Sequence, residues 1–132
     1  MKKILLFLTL FGCVTAINAQ DKSQSKIDTS QMAKIVFEKT VYDYGFIVRG
    51  GNGMCMFKFS NKGKVPLILS AVKASCGCTT PTWSNEPIAP GKTGEITVKY
   101  NTNLPGTFSK YITVSSNATV PTMTLQIKGE VK

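Results

Sequence analysis

The residues in this chain best suited to chemistry are Cys76 and Cys78, which flank Gly77 in the pentapeptide SCGCT at residues 75–79. Two thiols at this spacing can close a small disulfide, bind a soft metal ion or persist as a reactive pair. Each of these states implies a different function: a structural turn, a metal site or a centre for thiol exchange.

A disulfide between the two cysteines is feasible if Gly77 lets the chain bend so that their Cα atoms lie within about 7 Å. Closing so short a loop adds little entropic stability, because the benefit grows with loop length. We therefore expect such a bond to fix a local turn rather than to hold the domain together. An exposed and strained bond of this kind would also be readily reduced.

A soft-metal site is the first alternative, because Met54 and Met56 could add two thioethers to the thiolates of Cys76 and Cys78, a ligand set that selects Cu(I). The chain has no histidine, which excludes blue-copper sites of the His-Cys type, most zinc hydrolases and histidine-based general catalysis. The alternation along this segment points Cys55 into the core and the two methionines outward, so Cys55 is expected to serve packing.

Thiol–disulfide exchange is the second alternative, and the sequence favours it less. A catalytic thiol needs its pKa lowered by a helix N-terminus or a close cation, whereas no helix is predicted here and only Lys73 is near in sequence. The usual redox spacing also has two residues between the cysteines. Since Asp43, Glu86 and Glu95 are far apart and form no catalytic pair, we predict a protein that is not an enzyme and needs no cofactor.

The elements that must position these cysteines are β-strands, because apolar and polar residues alternate with a period of two along several runs. The run VPLIL at residues 65–69 is continuously apolar and predicts a central strand entered after Pro66. Short strands separated by turn signals predict an all-β, immunoglobulin-like sandwich. The predicted strands are seven: residues 34–39, 41–48, 53–60, 65–74, 93–100, 107–115 and 122–131.

The N-terminal residues have the pattern of a secretory signal peptide. Lys2 and Lys3 precede an apolar run at residues 4–11, and small residues follow, so we expect cleavage after Ala19 or Ala16. The apolar run is shorter than the roughly 20 residues that a membrane span needs. These features predict a periplasmic or secreted protein.

The tetrapeptide LFGC at residues 10–13 leaves open a different N-terminus, because it resembles a lipobox in which Cys13 would be lipidated and would anchor the chain to a membrane. From Lys34 to Lys132 no low-complexity stretch or linker interrupts the chain, and the sequence has no internal repeat. The predicted divisions are a signal peptide at residues 1–19, a flexible polar leader at 20–33 and a single domain at 34–132.

The chain is basic, with 16 Lys and Arg against 7 Asp and Glu. Loss of Lys2 and Lys3 with the signal leaves 14 basic residues against 7 acidic ones, a net charge of +7. Such a charge favours anionic partners. The lysines are scattered, however, and no basic run is interleaved with aromatic residues, so we predict a solvated surface and no nucleic-acid site.

Six short segments in order carry a resemblance to a known family: YDYG at 42–45, FKFSN at 57–61, SCGCT at 75–79, IAPGK at 88–92, ITVKY at 96–100 and SN at 116–117. The set resembles a family of exported bacterial domains known as domain-of-unknown-function family 1573, which is common in bacteroidetes-type bacteria. That family is similar to Hydin-like and major-sperm-protein-like immunoglobulin domains, so the resemblance implies a β-sandwich in the cell envelope and no activity. Tyr44 stands where the family often has Phe. The resemblance covers nearly all of residues 35–131.

These observations together predict a non-enzymatic binding or structural module of the bacterial cell envelope that has a protein partner. The alternative function is Cu(I) binding or thiol redox chemistry at the cysteine pair. Sheet edges can recruit a partner strand, but functional residues often lie on loops held by a rigid scaffold, and we expect a long loop over residues 75–87 to be the contact surface. Its predicted binding residues are Cys76, Gly77, Cys78, Thr79 and Trp83.

Overall fold

Eight strands form two four-stranded sheets that pack face to face in the computed structural model, which describes Gly12 and residues 28–132. One sheet has the order β1-β3-β6-β5 and the other the order β2-β8-β7-β4. This arrangement confirms the predicted immunoglobulin-like sandwich. The strands are β1 (Ile35–Phe37), β2 (Val41–Ile47), β3 (Met54–Asn61), β4 (Leu69–Ala74), β5 (Thr79–Thr82), β6 (Thr93–Tyr100), β7 (Gly106–Ser116) and β8 (Thr122–Val131).

The strand that the sequence did not predict is β5, which lies inside the segment expected to be a long loop. Residues 79–82 have no apolar alternation, and Pro81 suggested a turn. The strand forms because it lies at the edge of its sheet and pairs with β6 alone, and an edge strand tolerates a proline. The prediction of a loop over residues 75–87 was therefore wrong for residues 79–82, which form β5.

The prediction of a central strand over residues 65–74 was wrong about the residue at which the strand begins and about its position in the sheet. It begins at Leu69 and forms the edge of its sheet rather than the centre. Leu67 instead makes an isolated antiparallel bridge with Ile88. Its apolar side chain is completely buried, so the continuous apolar run reflects burial in a connection and not a central strand.

The core lies between the sheets and follows the alternation read from the sequence. In β3, the side chains of Cys55, Phe57 and Phe59 are buried, whereas Met54 and Met56 are 45% and 44% exposed. Because successive strand residues face opposite sides of a sheet, these five side chains place the inner and outer surfaces of the sheet where they were predicted. Cys55 is a buried free thiol and serves packing.

The start of the domain lies earlier than the predicted boundary at residue 34. A short 3-10 turn forms at Thr29–Gln31, with Asp28 as its N-cap. Ala33 is fully buried and forms a parallel bridge with Ala118. Met32 and Ala33 therefore belong to the folded domain, while the predicted signal peptide apart from Gly12, together with Cys13, and leader residues 20–27 lie outside the described residues.

Asn61 holds the connections at one end of the sandwich together. Its fully buried side-chain oxygen accepts hydrogen bonds from the backbone N–H groups of Lys34 and Gly63, at 3.3 and 2.9 Å. Its amide nitrogen donates to the carbonyl oxygens of Val65 and Ile88, at 2.8 and 2.9 Å. One side chain therefore satisfies four backbone groups from three separate segments.

Tyr44 links the middle of β2 to Gly53, the residue that precedes β3. Its hydroxyl donates a hydrogen bond of 2.7 Å to the carbonyl oxygen of Gly53, and its ring packs 5.7 Å from that of Phe108. Burial of the phenol raises the pKa of Tyr44 far above its ordinary value of 10.0, and the neighbouring Cys55 thiol raises it further. The neutral phenol is therefore strongly favoured in the folded protein.

We expect Tyr44→Phe to change the alkaline stability of the domain. Because the folded pKa of Tyr44 lies above its ordinary value of 10.0, its contribution is fully present below pH 10 and is lost as the unfolded phenol ionises at higher pH. The substitution should cost about 1 kcal/mol at neutral pH through the lost hydrogen bond. Above pH 10, the unfolding free energy of the variant should fall less steeply with pH than that of the wild type. The difference in slope should be up to about 1.4 kcal/mol per pH unit.

Denaturant unfolding at a series of pH values measures this effect. Tyr111→Phe is the matched control, because Tyr111 is 49% exposed on the outer face of β7, in the same sheet as β2, and its removal should leave the pH profile unchanged. Equal slopes above pH 10 for the wild type and the Tyr44→Phe variant would contradict the role assigned to Tyr44.

Candidate binding site at the disulfide turn

Cys76 and Cys78 lie in a short crossover that takes the chain from β4 in one sheet to β5 in the other. Their Cα atoms are 5.4 Å apart, and the two sulfurs are at bonding distance. The carbonyl oxygen of Cys78 accepts a hydrogen bond of 2.8 Å from the backbone N–H of Asn101. The crossover, which we call the disulfide turn (residues 75–78), is thereby fixed to the connection between β6 and β7.

Gly77 does not have the unusual backbone conformation that the sequence suggested. The glycines with positive φ among the described residues are Gly45, Gly50, Gly91 and Gly106. A Cβ atom added at Gly77 would meet nothing within 4 Å. The geometry of the disulfide turn therefore does not require a glycine between the cysteines.

Thr79 supports the cysteine pair from inside the sandwich. Its side chain is 4% exposed, and its hydroxyl lies 3.7 Å from the Cys78 sulfur and 4.0 Å from the Cys76 sulfur. The two cysteines are half-buried, whereas Gly77 is exposed. Of the predicted contact residues in this turn, Gly77 and the outer faces of the cysteines are thus accessible, and Thr79 has a positioning role.

Trp83 is not brought together with the cysteine pair. It follows β5, so that strand separates it from Cys78 by about 16 Å, the rise of five extended residue steps. Its ring is half-buried and packs against the core. The indole Nε1 is buried and has no hydrogen-bond partner within the part of the chain that the structure describes.

A cleft of about 490 Å³ opens beside the disulfide turn. Three connections at the same end of the sandwich form its walls: the glycine-rich segment at residues 48–53, the disulfide turn and residues 101–105. The side chains of Thr80, Lys99, Asn101 and Asn103 line it, and Lys99 is the one charged residue among the lining residues. Amide, hydroxyl and main-chain groups therefore dominate its surface.

Gly53 is required where this cleft meets the sheet. A Cβ atom at Gly53 would lie 2.2 Å from the carbonyl oxygen of Tyr100 and 2.9 Å from the Thr102 side chain. The glycine permits the close approach of β3 to the end of β6, where Tyr100 N–H donates to the Gly53 carbonyl at 2.9 Å. In the sequence, the motif GGNG at residues 50–53 signalled only a turn.

The four residues of the alternative metal site do not converge. Met54 pairs with Lys99 on β6, and Lys99 pairs with Thr80 on β5, so Met54 and the start of β5 lie about 10 Å apart, two strand spacings. Across residues 28–132, no group of three or more His, Cys, Asp or Glu side chains is arranged to hold a metal ion.

The free thiol Cys55 is unsuited to nucleophilic chemistry. Burial raises its pKa, against the opposing effect of a hydrogen bond with Tyr44. A reactive cysteine instead needs a lowered pKa and solvent access.

Over the described residues, no helix is long and apolar enough to cross a membrane.

A family model described as protein of unknown function (DUF1573) matches residues 35–131, nearly the whole sandwich. A comparison with curated proteins finds no match.

Solved structures support the fold. A protein of unknown function from Porphyromonas gingivalis W83 is similar, with a TM-score of 0.70 and 18% identity over 82% of this chain and 51% of that chain. This chain therefore spans about half the length of that relative. A PapD-like domain of human CEP192 has a TM-score of 0.63 and 8% identity over 98% of each chain.

A chain in the CsuC–CsuE chaperone–tip adhesion subunit pre-assembly complex of Acinetobacter baumannii is also similar, with a TM-score of 0.57 and 13% identity. The match covers 76% of this chain and 58% of that chain. At such low identities, these likenesses show a shared immunoglobulin-type sandwich and not a shared activity.

Proposed function

This chain belongs to the DUF1573 family, a family of proteins of unknown function, and from that membership and the geometry of the cleft we propose that it is a non-enzymatic protein-binding module of the bacterial cell envelope. The contact surface is the disulfide turn together with the polar cleft beside it. The partner is a protein, and neither nucleic acid nor a cofactor is involved.

The observation that carries this proposal is the placement of the disulfide turn against the cleft. The turn is tethered by the Cys78–Asn101 hydrogen bond, so its exposed residue Gly77 and the cleft residues Asn101 and Asn103 belong to one rigid surface. Rigid loops on a β-sandwich lose little entropy when they bind, which favours affinity. Asparagine side chains and exposed main chain supply adaptable hydrogen bonds.

The chemistry of the surface favours binding over catalysis. The chain contains no histidine, the ionisable side chains that line the cleft are those of Lys99 and Tyr100, and the free thiol Cys55 is buried. A similar fold occurs in the A. baumannii chaperone–subunit complex, which is itself an assembly of proteins. This likeness suits a protein-binding role for the present domain.

We propose that the protein works outside the cytoplasm, in the periplasm or as a secreted protein. The signal-like pattern at residues 1–19 supports export, and a disulfide persists in oxidising compartments. Lipidation at Cys13 is the alternative, in which the same domain would be held at a membrane surface.

The double substitution Cys76→Ser and Cys78→Ser should abolish partner capture while leaving the domain folded. The disulfide closes a very short loop, so its removal should cost about 1.5 kcal/mol or less of unfolding free energy. The turn would then become mobile and its surface would be lost. The measurement is capture from envelope extract on the immobilised protein, with each variant's folded fraction checked by thermal unfolding.

Val120→Ser is the matched control, because Val120 is 55% exposed at the opposite end of the sandwich and its replacement should leave capture unchanged. Retention of the same bound proteins at the same yield by the double serine variant would refute the assignment of the disulfide turn.

Thiol redox chemistry is the second candidate function, and one observation favours it. Cys76 and Cys78 are half-buried rather than enclosed, so a reductant can reach the pair. In that case the pair would be found reduced in the native protein, whereas the binding module requires it to be oxidised. Cu(I) uptake that disappears in a Cys76→Ser variant would point instead to metal binding.

A further inference from the structure

The two sheets have four edges, and three of them are obstructed against the addition of another strand. At the start of β5, the Cys78 carbonyl faces β6, since Asn101 N–H donates to it. By alternation, the main-chain groups of Thr79 and Pro81 point away from β6, toward the free edge. Pro81 has no N–H to offer, and the N–H of Thr79 already donates to the Cys76 carbonyl at 3.4 Å. The β5 edge therefore presents carbonyl groups alone.

The edges of the other sheet are irregular. The pairing of β2 with β8 is broken by a register shift between Asp43 and Phe46. The pairing of β4 with β7 is broken between Leu69 and Ala71, and β4 also carries Lys73. Such bulges and charged side chains are devices that prevent edge-to-edge pairing.

The fourth edge, at residues 54–57 of β3, carries none of these obstructions. The short strand β1 pairs with β3 from Asn61 to Phe59. One further hydrogen bond, from Glu38 N–H to the Lys58 carbonyl at 3.0 Å, is the last that the β1 segment makes with β3. Beyond it the chain crosses to the other sheet as β2. On its other side, β3 stays in unbroken register with β6 from Met54 to Ser60.

The next main-chain groups along this edge belong to Met56. The Lys58 carbonyl faces β1 and the Gly53 carbonyl faces β6, so by alternation the N–H and C=O of Met56 point away from the sheet. The Met54 N–H is occupied by the Asn52 side chain at 3.0 Å. Met56 and the Met54 carbonyl thus offer one donor and two acceptors in a straight line.

Apolar side chains and a positive charge surround this edge. Met54 and Met56 are about half exposed. A groove of about 210 Å³ beside the edge is lined by Tyr42, Met56 and Phe57, with Lys39 and Lys58 against the single acid Glu38. The whole chain has a net charge of +9, so a second copy is repelled and an acidic partner is attracted.

We propose that residues 54–57 of β3 are a strand-recruiting edge that receives an extended segment of an acidic partner protein. The segment takes the place that β1 leaves empty and exchanges main-chain hydrogen bonds with Met56. Its alternate apolar side chains contact Met54, Met56 and Tyr42, and an acidic residue at one end lies near Lys39 and Lys58. This site lies at the opposite edge of the sheet from the disulfide turn and goes beyond the function proposed for that turn.

A synthetic nonapeptide with valine at alternate positions, threonine between them and two aspartates at one end is a suitable probe. Added to the purified mature chain, it should slow hydrogen exchange at the Met56 amide at least tenfold, as read by NMR. Met56→Lys, at a partly exposed position where lysine fits, should weaken peptide binding at least tenfold, because a charge at an edge opposes strand addition.

Thr82→Lys is the matched control, since it places the same charge on the exposed face of the obstructed β5 edge, outside the cleft beside the disulfide turn, and it should leave peptide affinity unchanged. Absence of binding, unchanged exchange at Met56 under saturating peptide, or equal loss in both lysine variants would each overturn the proposal. A dimer of the free chain that Met56→Lys abolishes would overturn it in favour of a second copy. Peptide binding that survives the double serine substitution separates this site from the disulfide turn.

Discussion

Asn61→Ala is expected to lower the free energy of unfolding by about 3 kcal/mol, because an alanine there leaves several buried backbone groups without partners, at roughly 1–3 kcal/mol for each group that stays unsatisfied. The Asn61 side chain is fully buried and bonds to Lys34, Gly63, Val65 and Ile88. Since Ile88 C=O also accepts from Leu67 N–H, the N–H groups of Lys34 and Gly63 should dominate the loss.

Asn117→Ala is the control for this prediction. Asn117 makes two similar bonds, accepting from Ile68 N–H at 2.8 Å and donating to the Pro66 carbonyl at 3.0 Å, but it is exposed. Water can replace its side chain, so the loss should be about 1 kcal/mol or less. Urea unfolding of both variants makes the comparison, and equal losses would show that Asn61 does not hold the three segments together.

Gly53→Ala is expected to destabilise the domain by about 3 kcal/mol and to distort the cleft beside the disulfide turn. The new methyl group would lie 2.2 Å from the Tyr100 carbonyl oxygen, a backbone atom that can move only if β3 separates from β6. Overpacking of this kind costs about 1–3 kcal/mol and occasionally more. The Tyr44 hydrogen bond to the Gly53 carbonyl should weaken as well.

Gly77→Ala tests the same substitution in the same cleft without the steric conflict. Nothing lies within 4 Å of an added Cβ there, and a less flexible unfolded chain should leave stability unchanged or raise it by up to about 1 kcal/mol. Thermal unfolding distinguishes the pair. A loss at Gly77 comparable to that at Gly53 would mean that the disulfide turn needs a glycine after all.

The fold could be predicted where burial imposes a period of two. The alternation of Cys55, Phe57 and Phe59 with Met54 and Met56 specified the orientation of β3, because one face of the strand is buried against the opposite sheet. It failed at β5, where an edge strand of threonines and a proline is held by main-chain pairing with β6, and main-chain pairing leaves no mark on side-chain pattern.

The site could be predicted only in part. The cysteine spacing indicated a local turn, and the structure places the pair at disulfide distance. Trp83 was grouped with the pair because the two are close in sequence, but β5 carries it away from the disulfide turn, to a point level with the middle of β6. Asn101 and Asn103 were missed, because their proximity to the disulfide turn depends on which connections lie at the same end of the fold. The one sequence signal that could have indicated them is the short polar segment NTN at residues 101–103.

The oxidation state of Cys76 and Cys78 in the native protein tests the central claim most directly, because a binding module needs the turn closed. The measurement is the intact mass of protein recovered from its own envelope, denatured and alkylated without reductant. We predict that only Cys55 is alkylated. The protein should be lighter by two hydrogens than its fully reduced form, and the difference should map to Cys76 and Cys78. The same mass shows whether the chain starts after Ala19 or Ala16 or at an acylated Cys13. Alkylation of Cys55, Cys76 and Cys78 together would contradict the account and would place thiol or metal chemistry first.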